Sequence, residues 1–342
     1  MEMACVDNFT FFQPDRIHKM RKLSGKITIA FALSYLILCS IVSAHYPKTV
    51  EIKTNQKHIK IGEPLIVKAM YRFEESQVSK TNEFYQKMGA ESVIQIKRDE
   101  ANKLPRAYYD SVGPGTLFLQ DTQGLVYACD FLLFYNPYEN RLIFDKPGIY
   151  MVTVRRTRTI ISNPLYITVV LAEDLEKRAL SFLSDRNDYL FLEGGSNEDP
   201  NKLSLRISRL RLIIEQCKGT IYAEWAAARL GLVYFEDFHK KHPSFSKFKA
   251  KLKKGQVVEP LFDKAHMYLA AGAKLPDEFP IREKVLYQLG RTEVIKDNYE
   301  KAFSLLDELG AKYPKGKYGK NASRGKQELQ RIKKREEPQN KI

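Results

Sequence analysis

The chain has 342 residues, 44% of them hydrophobic, and a formal net charge of +15. This length allows two domains with real cores, and the positive charge makes acidic partners candidates. With only four cysteines in the whole chain, a small disulfide-stabilised scaffold is excluded.

The N-terminus has the pattern of an export signal. Five basic residues between Arg16 and Lys26 precede an uncharged apolar run, and Val42-Ser43-Ala44 offers small side chains to signal peptidase. We therefore expect residues 1–44 to be a signal peptide, with Met20 as an alternative start. The alternative is a retained anchor, because Ile27–Ala44 is 18 residues long, at the short limit of a membrane span. In both cases the rest of the chain is predicted to be extracytoplasmic, either periplasmic or secreted.

Residues 45–171 are predicted to form a β-domain. Segments rich in Val, Ile, Tyr and Phe are divided by turn signals such as Lys146-Pro147-Gly148, and Met151–Val154 alternates between two sides. A short helix is predicted at Asn82–Met88. Several short strands with no helical period between them favour a β-sandwich. The predicted strands are Val50–Lys53, Leu65–Phe73, Val93–Lys97, Leu125–Tyr135, Arg141–Phe144, Ile149–Arg155 and Leu165–Val170.

Two phrases in this region resemble immunoglobulin-like domains. Asp145–Tyr150 resembles the turn that enters a late strand, where a Tyr hydroxyl bonds back to the backbone, and the resemblance gives this role to Tyr150. Ile59–Leu65 is similar to the opening strands of such a domain. Val152 stands where antibody domains carry a cysteine. This difference weakens the comparison with antibody domains only. The resemblance implies an immunoglobulin-like β-sandwich over residues 45–171.

After Leu171 the hydrophobic pattern changes to a helical period. It predicts helices at Ala172–Leu183 and Leu203–Cys217, separated by a loop at Leu192–Pro200. Cys129 and Cys217 fall in apolar segments, so we expect small buried hydrophobic side chains rather than a disulfide between them.

Gly290, Ala302 and Pro314 stand twelve residues apart. Small side chains at the first two would let two helices approach closely, Asp297-Asn298 would form the turn between them, and Pro314 would end the second helix. This spacing resembles a tetratricopeptide repeat. A looser copy runs from Leu230-Gly231 through Ala265 to Pro276.

The resemblance implies an α-solenoid of tetratricopeptide-like helical hairpins over residues 172–335, followed by a disordered tail at 336–342. A generic array of helical hairpins is the alternative. In tetratricopeptide repeats, first-helix side chains line a groove that binds protein partners, and Tyr, Trp and Arg are residue types that anchor interfaces. For Trp225 and Phe235 the alternative is a place in the core. The partner-binding residues implied here are Trp225, Lys284, Tyr287, Arg291 and Val294, with Ala228, Leu232, Phe235, Glu236 and Ile295 also mapped to the groove.

The segment Phe238–Lys254 contains seven Lys and no acidic residue. It is a candidate for binding anionic lipid headgroups, lipopolysaccharide or cell-wall polymer. The alternative is a solvated insertion whose Phe side chains pack on the helices. The candidate anionic-surface residues are Lys247, Phe248, Lys251, Lys253 and Lys254.

No catalytic motif is found: the sequence has no G-x-S-x-G, no H-E-x-x-H and no Walker-type loop. His239 and His242 have a spacing that suits metal ligands, but Lys240 and Lys241 lie between them and would repel a cation. We therefore expect no catalytic residue, no metal, no cofactor and no nucleic-acid partner. The sequence favours an exported, non-enzymatic binding or scaffold protein of the bacterial cell envelope. Binding of anionic envelope material, or an enzyme with an accessory sandwich, are the alternatives.

Overall fold

The structure is a computed structural model in which strands occupy the first part of the chain and helices the second. It describes residues 47–73, 93–98, 102–103, 119–120, 126–136, 139–156, 159–194, 200–244, 247–249, 254, 260–314 and 316–336, all within one unit. The expected signal or anchor segment, the predicted helix at Asn82–Met88 and the tail after Glu336 lie outside these residues. Among the residues described, no helix combines the length and the hydropathy needed to cross a membrane.

The strands form two larger sheets and one hairpin. The first sheet has the order β1-β3-β7-β6, and the second has the order β2-β11-β10-β4-β5. All pairings are antiparallel except that of β2 with β11, which is parallel. The strands are β1 (Thr49–Lys53), β2 (His58–Lys60), β3 (Leu65–Arg72), β4 (Val93–Arg98), β5 (Asn102–Lys103), β6 (Leu119–Gln120), β7 (Val126–Leu133), β8 (Tyr135–Asn136), β9 (Arg141–Leu142), β10 (Gly148–Arg155) and β11 (Leu165–Val170).

Strand β10 shows how the sequence pattern produces the sheet core. Tyr150, Val152 and Val154 are fully buried, while the alternate residue Ile149 is exposed. The Tyr150 hydroxyl donates to the carbonyl oxygen of Lys146 at 2.9 Å, which confirms the hydrogen bond predicted for this residue. The buried ring therefore satisfies its polar group within its own turn.

The second part of the described chain is helical. Helix α2 begins inside a capping box in which Asp185 and Asp188 exchange side-chain and backbone hydrogen bonds, and it ends at Gly194 with φ of 107°. The sequence pattern did not predict this helix, and the loop predicted from Leu192 begins inside it. The helices are α1 (Asp174–Phe182), α2 (Arg186–Glu193), α3 (Pro200–Gln216), α4 (Ile221–Lys241), α5 (Pro260–Gly272), α6 (Arg282–Ile295), α7 (Tyr299–Lys312) and α8 (Ala322–Glu336), with a 3₁₀ turn at Gly319–Asn321.

Side chains from the strand region join the core of the helices. The ring of Phe134, which follows β7, lies 4.9 Å from that of Trp225 on α4 and 5.6 Å from that of Tyr189 on α2. The Tyr222 hydroxyl donates to the carbonyl oxygen of Gly62. The two parts are therefore joined by buried aromatic rings and by a hydrogen bond that satisfies the buried Tyr222 hydroxyl.

The closest helix contact lies between α4 and α5. A Cβ atom at Gly231 would lie 2.6 Å from the backbone nitrogen of Leu269, and a Cβ atom at Gly272 would overlap the backbone of Ala228. Only glycine at both positions allows the two backbones to approach this closely. This contact belongs to the looser of the two sequence copies.

The contact between α6 and α7 is more open than the sequence predicted. A Cβ atom at Gly290 would meet only Leu305 Cβ, at 3.9 Å, which is an ordinary van der Waals distance. The expectation that Gly290 permits a close helix approach is therefore wrong. The predicted turn is confirmed, because Asp297 has φ of 62°, and α7 ends at Lys312, just before Pro314.

Alanine substitutions distinguish the two glycines. Gly231→Ala should lower the free energy of unfolding by about 1–3 kcal/mol, because its Cβ meets the backbone of α5. Gly290→Ala should raise it by roughly 0.5–1 kcal/mol, since alanine favours the helix and nothing overlaps the added atom. Chemical denaturation of both variants measures the difference. Equal losses in the two variants would contradict the packing described here.

Candidate functional site

Three separate elements bring aromatic and basic side chains together around Arg291. Helix α6 carries Lys284, Tyr287 and Arg291, whose spacing of three, four and seven residues places them on one helix face. Phe235 comes from α4, and Tyr318 comes from the segment after α7. We call these five residues the Arg291 cluster.

The guanidinium group of Arg291 is held by rings. Its Cζ lies 5.3 Å from the ring centre of Phe235 and 5.9 Å from that of Tyr287, within the range of cation–π attraction. Its Nη1 donates to Gln288 Oε1 at 3.1 Å. The rings of Tyr287 and Tyr318 lie 4.8 Å apart with an interplanar angle of 31°. These contacts orient the guanidinium group before any partner arrives.

The Arg291 cluster is basic and only partly covered. Lys284, Tyr287, Arg291 and Tyr318 are half-buried, so each keeps part of its side chain accessible. Burial lowers the pKa of Arg291 and raises the pKa of Tyr318. Lys284 forms an ion pair of 2.8 Å with Glu236 on α4. Partial burial makes an electrostatic contact with a partner stronger than it would be in open water.

A buried carboxylate positions Tyr318. Glu283 is 4% exposed and accepts hydrogen bonds from the backbone N–H groups of Tyr318 at 2.6 Å and Gly319 at 2.8 Å. A Cβ atom at Gly319 would overlap the carbonyl group of Tyr313, so this tight turn requires glycine. Tyr318 was not among the predicted site residues, because it lies beyond the repeat pattern that ends at Pro314. Gly316 and Gly319, which flank Tyr318, are the sequence signal for a tight turn at this position.

The predicted partner-binding residues divide into two groups. Lys284, Tyr287 and Arg291 meet in the Arg291 cluster, and Val294 is half-buried against the helical core. Trp225 is 1% exposed and lies between Phe134 and Phe279, so the prediction that it lines a groove is wrong. Its large apolar ring instead fills the junction between strands and helices. The other groove positions that the structure buries are Ala228, Leu232, Phe235 and Ile295.

The basic segment is attached to the helical core at two points. The ring of Phe248 is 2% exposed and lies 4.8 Å from that of Phe238, so the prediction that Phe248 contacts an anionic surface is wrong. Lys249 forms an ion pair of 2.6 Å with Asp297. Buried apolar area and this ion pair hold the segment against α4 and the turn between α6 and α7. Of the predicted lysines, Lys247 and Lys254 are exposed, whereas Lys251 and Lys253 lie outside the described residues.

The described residues show no grouping that resembles a metal centre. Within them, no three side chains of His, Cys, Asp or Glu are placed to hold an ion. The His242 ring lies 5.2 Å from that of Phe238 and 4.8 Å from that of Phe248, so it packs in the helical core. Cys217 is a free, buried thiol whose pKa is raised by burial.

A buried carboxyl group lies where α2 meets the strands. Glu193 accepts a hydrogen bond from the backbone N–H of Tyr135, and its Oε1 is buried without a hydrogen-bond partner in the described part of the chain. The ring of Tyr135 stacks on that of Tyr189 at 4.5 Å. Burial, rather than a charged neighbour, raises the pKa of Glu193 from 4.5 to about 8. This carboxyl group therefore makes the junction sensitive to pH.

Comparisons with known proteins add little to this geometry. No protein-family model and no curated protein matches the chain. One matching chain, at 10% identity and a TM-score of 0.18, comes from a structure titled "Structural basis of T cell specificity and activation by the bacterial superantigen toxic shock syndrome toxin-1"; the match covers 36% of this chain and 98% of that one. A β-glucosidase from Listeria innocua in complex with glucose matches at 19% identity and a TM-score of 0.19, over 35% of this chain and 16% of that one.

A polysaccharide lyase also matches, at 11% identity and a TM-score of 0.18, over 79% of this chain and 42% of that one. These three TM-scores are too low to support a conclusion about fold or function.

The Glu193 carboxyl group predicts a specific pH dependence. Its folded pKa lies above its unfolded value, so its contribution to stability is complete below pH 4.5 and is lost as the pH rises through about 8. Between pH 6.5 and 8.5 the free energy of unfolding should fall by on the order of 1–3 kcal/mol. In Glu193→Gln, which stays neutral and can still accept from Tyr135, this fall should be smaller.

Urea denaturation at several pH values measures the effect. Asp130, whose pKa burial raises to about 6, contributes mainly below this window. The exposed Glu300→Gln is the matched control and should keep the wild-type profile. An unchanged profile in Glu193→Gln would contradict the assignment.

Proposed function

We propose that the chain is a non-enzymatic binding or scaffold protein of the bacterial cell envelope that holds protein partners on the Arg291 cluster. The observation that carries this proposal is a guanidinium group fixed between rings from two helices yet still half accessible. Arg and Tyr dominate the binding energy of many protein interfaces. A side chain that is already ordered loses little conformational entropy on binding, which favours affinity.

The proposed architecture is an immunoglobulin-like sandwich followed by a tetratricopeptide-like helical region. The strand orders support the first part: β1-β3-β7-β6 and β11-β10-β4 correspond to the two strand sets of immunoglobulin domains. The hydrogen bond from Tyr150 to Lys146 supports it further. Contacts between α4 and α5 and between α6 and α7 support paired helices in the second part.

Glu293 departs from the tetratricopeptide pattern, which has Tyr at this position, but it still ties helices together. Its carboxylate is fully buried and bonds to His266 on α5 at 2.9 Å, to Lys301 on α7 at 2.6 Å and to Asn298 at 2.8 Å. Three polar partners outweigh desolvation, so the pKa of Glu293 is lowered. This network joins three successive helices, as a repeat array requires.

The N-terminal sequence pattern is the support for an envelope location. Basic residues, an apolar run and Val42-Ser43-Ala44 match an export signal, and the same run could tether the chain as an anchor. An extracytoplasmic chain would meet envelope proteins and anionic envelope surfaces. No catalytic residue, metal or cofactor is part of the proposal.

Recovery of partner proteins from envelope extract tests the Arg291 cluster as a binding site. The chain, tagged at its C-terminus, is used as bait beside Tyr287→Ala and Arg291→Ala, with the exposed Arg324→Ala as a charge control. Loss of an interface anchor costs about 2 kcal/mol or more, so at least one protein should be recovered more than tenfold less by both cluster variants. Recovery of every protein at the wild-type level, with both variants folded, would remove this function.

Binding of anionic envelope material is the second candidate, favoured by the exposure of Lys247 and Lys254. Because Phe248 is buried, this contact would be electrostatic, without insertion of an apolar ring. Lys247→Gln and Lys254→Gln should each weaken binding to vesicles containing phosphatidylglycerol by about 1 kcal/mol. Added salt should weaken the binding of the wild-type chain to the same vesicles. Binding that is indifferent to both substitutions and to salt would eliminate this candidate.

A further inference from the structure

Exposed apolar side chains concentrate on one face of the second sheet. Tyr166 on β11 is 61% exposed. Ile149 on β10 and Val170 on β11 are also exposed, and Ile161 is exposed in the connection between these two strands. Single exposed apolar residues are normal on a protein surface, but a contiguous group marks an interaction site.

The strand register makes this group contiguous. Ile149 is paired with Thr168, and Met151 is paired with Tyr166, so four side chains form a block across β10 and β11. The intervening residues Tyr150 and Ile167 point into the sandwich and are fully buried. We call the block, extended by Val170, the β10–β11 face.

Helices cover apolar residues on the outer side of the first sheet. Ile66 on β3 and Leu132 on β7 are buried in the core that those strands share with the helices. The helices therefore cover apolar residues on that sheet. Within the described residues, the exposure of Ile149 and Tyr166 shows that no helix covers these positions of the β10–β11 face.

Basic side chains border the β10–β11 face on both sides. Lys97 on β4 is paired with Met151, and His58 on β2 is paired with Thr168; both are exposed. Lys60, farther along β2, is occupied by Glu173 at 2.7 Å and Glu176 at 2.8 Å. A second copy of this chain would bring the same net charge of +15, which disfavours self-association. An occupant bordered by carboxylates fits instead.

We propose that the β10–β11 face docks a partner protein that presents apolar side chains bordered by carboxylates. The four strands β4, β10, β11 and β2 span about 14 Å at the usual strand spacing. An apolar strip on β10 and β11, together with these borders, suits the centre of an ordinary interface, which covers about 800 Å² on each partner. Tyr166, which is 61% exposed, supplies the aromatic anchor. The flat face has its backbone paired within the sheet, so it is rigid before docking.

Photo-cross-linking identifies the partner. A benzophenone amino acid replaces Thr168, which lies beside Tyr166 and Ile149 without removing either. The same replacement at Leu205, an exposed residue on α3, is the control. The full chain is produced in its own cells and irradiated, and the adduct at position 168 is identified by mass spectrometry. The protein so identified is then purified, and its Kd for the unmodified chain is measured.

The affinity measurements decide the proposal. Tyr166→Ser and Ile149→Ser should each raise the Kd at least tenfold, while Leu205→Ser should leave it unchanged. Lys97→Gln should raise the Kd at low salt and reduce its dependence on salt. Tyr287→Ala, in the Arg291 cluster, should bind this partner normally, which separates the two surfaces. The proposal is overturned by no adduct above the control, by an adduct with lipid or a second copy, or by a Kd indifferent to Tyr166→Ser.

Discussion

The burial of Trp225 is the constraint on which the rest of the structure depends. Its ring contacts Phe134 from the strand region and Phe279 from the connection between α5 and α6. Three parts of the chain that are distant in sequence therefore meet at one side chain. Because this interior has the packing of a domain core, strands and helices cannot move independently without exposing large aromatic area.

The position of the Arg291 cluster follows from this packing. Trp225 sets one end of α4, and the contact of Gly231 with Leu269 sets its distance from α5. One helical turn beyond Gly231 the same helix presents Phe235, on which the guanidinium group of Arg291 rests. A site built on helices, one of which is placed by a glycine contact, is more rigid than one built on loops. The orientation of Arg291 is thus a consequence of backbone packing elsewhere.

The sequence predicted the regular elements better than the contacts between them. Alternation in Met151–Val154 and turn residues such as Pro147-Gly148 are local signals, and the strands appear where those signals place them. Helix α2 was missed because its capping box uses Asp188, an aspartate, rather than the usual glutamate or glutamine. Local sequence signals thus identify most of the strands and helices, and they are least accurate for short elements such as α2.

Contacts between elements depend on distances that no local pattern carries. Trp225 has the residue type of both an interface anchor and a core residue, and only its contact with Phe134 decides between them. Gly290 fits the repeat spacing better than Gly231, yet Gly231 is the residue that touches a neighbouring backbone. Tyr318 enters the site through a turn held by Glu283, from outside the repeat pattern.

The Arg291 cluster and the β10–β11 face differ in the chemistry they offer. The first presents an ordered cation among rings, and the second presents a rigid apolar surface with basic borders. Both lie in the one compact unit that contains all the described residues, so occupants of the two surfaces would be held at a fixed separation rather than on a flexible linker. A fixed separation raises the effective concentration of one occupant near the other only when their geometry matches. The proposed scaffold would therefore select pairs of partners whose shapes fit both surfaces at once.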